Sequence, residues 1–531
     1  MTRRQYLLLA LLGLLAAAIA AAFQPAPGYM DADYYYAGGL QLAAGRGFTE
    51  PYLWNYLDDP VGLPHPSHGY WMPLASLLAA AGALLFGPSS WLAARTGFLA
   101  VAASIPPLTA ALAWSFTSRR GLALASGLLA VFSGFYLVYL PITDTFGLYM
   151  LFGGLFFLII NRQASIVNRQ YPSGTMSSIV NPILLGLLSG LMHLSRADGL
   201  LWLLLAFASV LYFRKPNQSL LSIFYSLLSV LAGYLLVMAP WFARNYAAFG
   251  SFLAPGGSKT LWLTSYDQIF SYPAGRITFA DWWQSGLGAI LKARLWALGL
   301  NLANAISVQG GIFLWPLGLF GVWHLRRDRR VRLALLAWLL TLAAMTVVFP
   351  FAGARGGFLH SGAAVQTVWW ALVPIGLDRV IEWGVRVRGW KPERARLVFP
   401  AIFIALAALL TGIVAAGRLG AGSGSGWGSE YSAHSQINEY LVLQGMPDEA
   451  VVIVANPPGF WLASGHPAIA LPDGDAQTVL ALARRYGARY LILEQGSVTK
   501  GLMDVYDHPA DFPGLVYLGE VEGARVFELQ P

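Results

Sequence analysis

Eleven apolar runs dominate the chain, near residues 6–23, 92–116, 121–141, 144–161, 179–194, 199–213, 221–241, 309–325, 333–350, 362–378 and 397–416. About 20 apolar residues, rising about 1.5 Å each, match the roughly 30 Å hydrocarbon thickness of a bilayer. Runs of this kind in a chain of 531 residues that is 56% hydrophobic and 11% charged imply a polytopic α-helical membrane protein. The first run also fits a cleaved signal peptide, with a basic start and small residues near position 22. The many runs that follow favour a retained helix.

Charge fixes the expected orientation. The segments 1–5, 117–120, 162–178, 214–220, 326–332 and 378–396 hold 19 of the 34 Lys and Arg but only four acids, Asp328, Asp378, Glu382 and Glu393. Basic loops stay on the cytoplasmic side. This places the N-terminus in the cytoplasm and the C-terminus outside the plasma membrane. The apolar stretch 71–87 cannot then be a full crossing, because counting it would invert every later basic loop. It is expected along the outer interface or as a re-entrant segment. The same parity puts the loop 24–91, Asp144, the turn "HLSRADG" at 193–199, the segment 239–250 and the segment 351–364 on the outer side. A recessed, polar, outward-facing cavity follows.

The excess of 34 basic over 26 acidic residues is explained by orientation and does not argue for nucleic acid. The absence of cysteine excludes disulfides, thiolate nucleophiles and Cys metal sites. Three domains are expected: a membrane domain over 1–416 that includes the outer loop, a Gly/Ser linker over 417–431, and a small soluble α/β domain over 432–531 outside the membrane. In the last, "AVVIVANPP" and "ARYLILEQ" read as strands, "AQTVLALARRYG" as an amphipathic helix ending at Gly487, and the final residues as a hairpin.

Two acids, Asp31 and Asp33, stand where the chain leaves the first run. Either could cap the helix that "YYYAGGLQLAAG" begins. With Asp144 at the same expected depth, they also make a candidate catalytic carboxylate site, since ionisable groups at a membrane are costly. One could serve as general base; the carboxylates could also hold a divalent cation, with no cofactor otherwise implied. Arg196, Arg244, Arg355 and His65 fall on the outer side, where Arg suits phosphate oxygens through its planar fork. Headgroup contacts, or a pairing of Arg196 with Asp198, explain single arginines equally well. His65 and His68, three apart in a Pro-rich loop, make a weak metal signal. His360 and His434 read as ordinary polar contacts. The loop's aromatics, Trp54, Tyr70 and Trp71 among them, fit interfacial anchoring or a sugar-stacking platform.

Taken in order, these motifs resemble the GT-C glycosyltransferases, specifically the protein O-mannosyltransferase and aminoarabinose transferase superfamily (glycosyltransferase family 39-like). Asp31 and Tyr35 match an Asp-x-x-x-Tyr element after the first span, "HPSHGYW" the approach to an interfacial helix, Asp144 in "LPITDTF" a later outer acid, and "LSRADG" and "PWFARNYAAFG" two further elements. The resemblance covers residues 1–250 motif by motif and the rest as architecture. It implies a GT-C fold of about eleven spans and an inverting transfer of a sugar from a polyprenyl-phosphate donor to a hydroxyl on a protein, lipid or glycan. It implies Asp31 as general base, His65, Arg196, Arg244 and Arg355 on the donor phosphate, and Tyr35, Trp54, Tyr70 and Trp71 on the substrate. Two departures stand out. Ala32 separates the two acids, which the family often has adjacent, so the base stays open between Asp31 and Asp33. His65 replaces a Lys or Arg and makes phosphate contact pH-dependent.

The rival reading is a transporter or lipid flippase, which would show broken spans and an inverted repeat; neither stands out in the hydropathy. A non-catalytic polysaccharide or partner binder is the third. The transferase reading expects the acids to converge with basic partners in one outward pocket.

Overall fold

The computed structural model describes residues 1–87, 90–168, 175–214, 218–420 and 426–530, giving only the backbone course over 161–168 and 175–179. The expected inside loops 162–178 and 214–220 and the linker 417–431 lie partly outside the described residues. The chain forms two compact units: Met1–Phe23 with Thr96–Ala247 and Arg294–Leu419, and Gln24–Arg95 with Ala248–Ala293 and Gly420–Pro531. Residues 24–91, the expected outer loop, thus pack in one unit with the C-terminal residues.

The first unit is helical. Each of the eleven apolar runs contains a helix, and among the described residues five helices are by themselves long and apolar enough to cross a membrane: Arg3–Ala22, Trp91–Thr117, Leu220–Phe249, Arg329–Val348 and Pro392–Leu419. A sixth is made if Leu287–Gln309 and Ile312–His324, bent by 90°, count as one span. Shorter apolar helices cover Arg120–Val131, Phe146–Ile160, Val180–Ser195 and Ala197–Tyr212. Leucines such as Leu7, Leu11, Leu397 and Leu409 are exposed, as a lipid-facing surface requires. Between Trp315–His324 and Gln366–Arg388 the backbones nearly touch: a Cβ on Gly376 would stand 1.9 Å from the Leu317 carbonyl oxygen. Small residues allow this approach where lipid offers no hydrophobic drive. The run 121–141 breaks at Ser133–Gly134 into Arg120–Val131 and a 3-10 turn, Gly134–Tyr139.

One helix, Leu287–Asn304, was not expected from the sequence. Lys292 and Arg294 interrupt its apolar run and hide it from a hydropathy reading.

The second unit joins two helices to a sheet. Met30–Ala43 packs on Leu74–Phe86, and a Cβ on Gly39 would meet Ala79 Cβ at 2.7 Å, so glycine sets this spacing. The latter helix has 13 residues, about 20 Å at about 1.5 Å each. A six-stranded sheet runs in the order Tyr52–Leu53, Ala468–Ala470, Val451–Val454, Ala488–Glu494, Ala524–Leu529, Leu515–Val521. The first three pairings are parallel and the last two antiparallel. Its edge strand comes from the outer loop, and Tyr56 donates its hydroxyl hydrogen to the Ala470 carbonyl beside it. Ala476–Tyr486 covers one face and ends at Gly487, whose φ of 69° favours glycine. Ser429–Leu443 and Pro457–Ser464 pack together, and buried Ile437, Leu441 and Phe460 from this pair join Val452 and Ile492 in one apolar core.

Candidate active site

The helix Met30–Ala43 starts earlier than expected. Tyr29 occupies the N-cap position, and no side chain caps the helix there. Neither Asp31 nor Asp33 is therefore the cap; both lie in the first turn, where the helix dipole favours anions. Two positions apart on a helix, they point about 200° away from each other. That separation gives them different surroundings.

Asp31 shares its face with Tyr35 and Gly38, spaced i, i+4 and i+7. This face leads to aromatic rings. Trp54 and Trp71 stack at 4.0 Å and 8°, Tyr70 meets Trp54 edge-on at 4.9 Å, and Tyr35 lies 6.0 Å from Trp71. All four aromatics expected to contact substrate thus form one cluster. Below it, the Tyr34 hydroxyl donates to Glu50 at 2.8 Å and accepts from the His68 backbone N–H at 2.7 Å. The two ring nitrogens of His68 lie 2.7 Å from Ser67 Oγ and 3.0 Å from Ser76 Oγ. His65 instead lies against Asp58, its Nε2 2.8 Å from the carboxylate. The two histidines therefore serve separate contacts.

Asp33, on the other face, is buried at 5% exposure. Its Oδ2 accepts from Asn456 Nδ2 at 2.8 Å, and the same nitrogen donates to Glu430 Oε1 at 2.8 Å. Asn456 Oδ1 accepts from the Gly459 N–H and caps Pro457–Ser464, which fixes the orientation of the amide. Next to Glu430, His434 Nε2 lies 3.0 Å from Glu494 Oε1. Burial and the Glu430 charge push the Asp33 carboxyl up to about 8, against the pull of the Asn456 bond. Burial also raises Glu430. Burial alone would lower His434, but the bond to Glu494 and the surrounding acids raise it overall.

In the helical unit, Asp144 is fully buried before the helix Phe146–Asn168. Its Oδ1 accepts from the Thr145 backbone N–H and, at 3.2 Å, from the Thr145 hydroxyl. His360 Nε2 stands 3.2 Å from Asp144 Oδ2, and His360 Nδ1 stands 3.0 Å from the Gly356 carbonyl. A carbonyl only accepts, so Nδ1 carries hydrogen and Nε2 is the ring nitrogen that faces the carboxylate. The ring stacks on Phe146 at 3.8 Å. Gly356, with φ of 121°, turns the backbone that presents this carbonyl.

The expected phosphate-binding arginines of this unit differ in their surroundings. Arg196 Nε donates to Asp198 at 3.1 Å, Tyr149 donates to the same carboxylate at 3.3 Å, and the guanidinium lies 6.0 Å from the Tyr149 ring. Arg244 lies over Trp241 at 4.9 Å and donates to Asn245 at 3.2 Å. Arg355 is exposed beside Gly356. Among the described residues no group of three or more His, Asp or Glu is disposed to hold a metal ion. Of the carboxylates read as cation candidates, Asp33 spends an oxygen on Asn456, and Asp144 spends its oxygens on Thr145 and His360.

Sequence reasoning read His360 and His434 only as ordinary polar contacts and did not single out Glu430 or Asn456. Their partners are far along the chain, 216 residues for His360–Asp144 and 423 for Asn456–Asp33. No local spacing could have shown them.

No family model and no curated protein sequence matches the chain. Solved structures do. ArnT from Cupriavidus metallidurans, bound to undecaprenyl phosphate, superposes with a TM-score of 0.62 at 12% identity over 98% of this chain and 97% of that one. The oligosaccharyltransferase of Archaeoglobus fulgidus in its apo form gives 0.60 at 14% identity over 95% and 70%. Its AglB complex with an inhibitory peptide and a dolichol-phosphate gives 0.57 at 16% over 92% and 70%. With its apolar helices, the chain is a polytopic membrane protein of the GT-C fold shared by these glycosyltransferases.

Proposed function

We propose that this protein is a membrane glycosyltransferase that moves a sugar from a polyprenyl-phosphate donor to an acceptor hydroxyl at the outer face, with inversion. The observation that carries the reading is the near end-to-end likeness to ArnT, a structure bound to undecaprenyl phosphate. The AglB complexes with dolichol-phosphate and with acceptor peptide support a lipid-linked donor and are compatible with a peptide acceptor. In this reading the chain crosses the membrane eleven times within 1–416, with the N-terminus in the cytoplasm and the residues beyond the 417–431 linker outside.

The faces of the Met30–Ala43 helix favour Asp31 as the general base over Asp33. Asp33 is buried, tied to Asn456 and held near 8, so at neutral pH it mostly carries its proton. Asp31 shares its face with Tyr35, whose ring belongs to the Trp54, Tyr70 and Trp71 cluster that would hold the sugar or its acceptor. Asp31 would take the hydroxyl proton as the oxygen attacks the anomeric carbon and the bond to phosphate breaks. Such base assistance is worth about 100- to 10,000-fold in rate. Arg196, Arg244, Arg355 and His65 would stabilise charge on the departing phosphate. Asp144, braced by His360, would position the reacting groups.

The test uses the full-length protein in nanodiscs with a radiolabelled polyprenyl-phosphate sugar and a set of peptide, lipid and glycan acceptors. Asp31→Asn should lower transfer by about 100-fold or more while donor binding persists. Full activity in that variant rejects the base; no retained or turned-over polyprenyl phosphate in the wild type rejects the reading itself.

A further inference from the structure

The bridge at Asn456 joins segments 423 residues apart through one amide nitrogen shared by buried Asp33 and half-buried Glu430. The amide is neutral, so it orients Asp33 and Glu430 without balancing their charge. With Asn456 Oδ1 committed to Gly459, it cannot flip to relieve them. The charged and titratable groups around the bridge are Asp31 on the same helix as Asp33, Tyr52 on the edge strand, His434 one turn after Glu430, and Glu494 on the neighbouring strand. The helices Leu74–Phe86 and Pro457–Ser464 carry no titratable side chain. The strand Leu515–Val521 meets the Ser429–Leu443 helix at its far end, where Tyr440 bonds the Leu518 carbonyl. Among the described residues, the groups whose charges act on Asp33, Glu430 and His434 include no lysine or arginine. His434 is fully buried, and its Nδ1 has no hydrogen-bond partner among the described residues. Offsetting the charge of Asp33 and Glu430 therefore falls to His434.

We propose that Asp33, Asn456, Glu430 and the His434–Glu494 pair form a proton-linked clamp. It fastens residues 429–464 onto the Met30–Ala43 helix when protonated and loosens as the pH at the outer face rises.

The direction follows from linkage. Asp33 and Glu430 bind protons more tightly in the closed arrangement than when released, and so does His434. Closing takes up protons. The contribution of each group is complete below its released value and fades as pH rises through its closed value. For Asp33 that window runs from about 4 to about 8. Because the clamp grips the helix whose first turn carries Asp31, its state would set how rigidly the proposed base is held. This consequence rests on the functional reading above; the clamp itself does not. Tyr431, Trp461 and Leu462 of the clamped segment line a cavity of about 480 Å³ together with Tyr36, Leu40 and Arg46 of the segment it grips.

Hydrogen exchange by mass spectrometry on the full-length protein in nanodiscs tests it, with rates corrected for the intrinsic pH dependence of exchange. In the wild type, protection across 429–464 should fall between pH 6 and pH 8.5, by up to about tenfold per pH unit for each proton released. Asp33→Asn keeps an acceptor for the Asn456 amide and removes one titration, so its protection should persist to higher pH with a shallower slope. Asn456→Leu should lower protection at every pH. Wild-type protection that does not change with pH, or an Asp33→Asn variant that keeps the full slope, overturns the clamp. No donor or acceptor is present in this measurement, so a negative result leaves the transferase reading untouched, and failed transfer leaves the clamp untouched.

Discussion

Two buried carboxylates, Asp144 in the helical unit and Asp33 in the unit that carries the sheet, are each held by residues from distant parts of the chain, and they are completed differently. Asp144 faces an imidazole whose other nitrogen is anchored on the Gly356 carbonyl and whose ring is stacked on Phe146. That carbonyl contact and that stack fix the orientation of the ring, as in a residue that must stay in one place. Asp33 faces a neutral amide that it shares with a second acid, and the nearby His434 leaves one nitrogen unpartnered. The comparison teaches that burying an acid does not by itself say what it is for. A partner that supplies a proton fixes a group; a partner that supplies only a hydrogen bond leaves the group sensitive to pH.

Removing the partner should separate the two most sharply. His360→Ala leaves Asp144 buried without its imidazole, a loss of about 3–5 kcal/mol in unfolding stability. Denaturant melts in mixed micelles would show it, and His360→Gln, which keeps an N–H donor, should recover part. A change under about 1 kcal/mol would mean that Asp144 does not depend on the pair and that the contrast with Asp33 is unfounded. Asn456→Ala should cost less, about 1–3 kcal/mol for leaving buried acceptors unmade. Its cost should itself vary with pH, because the two acids it frees from the bridge titrate. Equal losses at pH 6 and pH 8.5 would place Asn456 in the same class as His360.

Much of the membrane part was legible because hydropathy is a local signal: every expected run holds a helix, although the Ser133–Gly134 break and the charged helix Leu287–Asn304 were not foreseen. The aromatic cluster was legible for a similar reason, since Tyr35, Trp54, Tyr70 and Trp71 lie within one loop. What escaped depends on tertiary pairing. A two-residue strand such as Tyr52–Leu53 has no periodicity to read, and its partner lies at Ala468–Ile469. His360 and His434 look like isolated polar residues in the sequence and become half of each carboxylate site only in the folded chain. The capping expectation failed by two residues for Asp31 and four for Asp33: Asp is a preferred cap, but the helix takes Tyr29 at that position, which puts both acids inside the first turn and on opposite faces.

The smallest effect is the most discriminating. The C-terminal residues meet the segment after the first span at a second point, where the Trp427 indole N–H donates to the Ala26 carbonyl at 3.0 Å and its ring meets Tyr29 edge-on at 6.5 Å. This anchor contains no group that titrates near neutral pH, yet it tethers the same stretch of chain that the Asn456 bridge holds. Trp427→Phe keeps a ring and removes the N–H, an expected loss of about 0.5–1.5 kcal/mol. Because nothing at that contact exchanges a proton, the loss should be the same at pH 6 and pH 8.5, in contrast to Asn456→Ala. If the Trp427→Phe penalty also varied with pH, the proton dependence would belong to the docking of the whole segment, and the distinction between a titrating and a neutral anchor would fail.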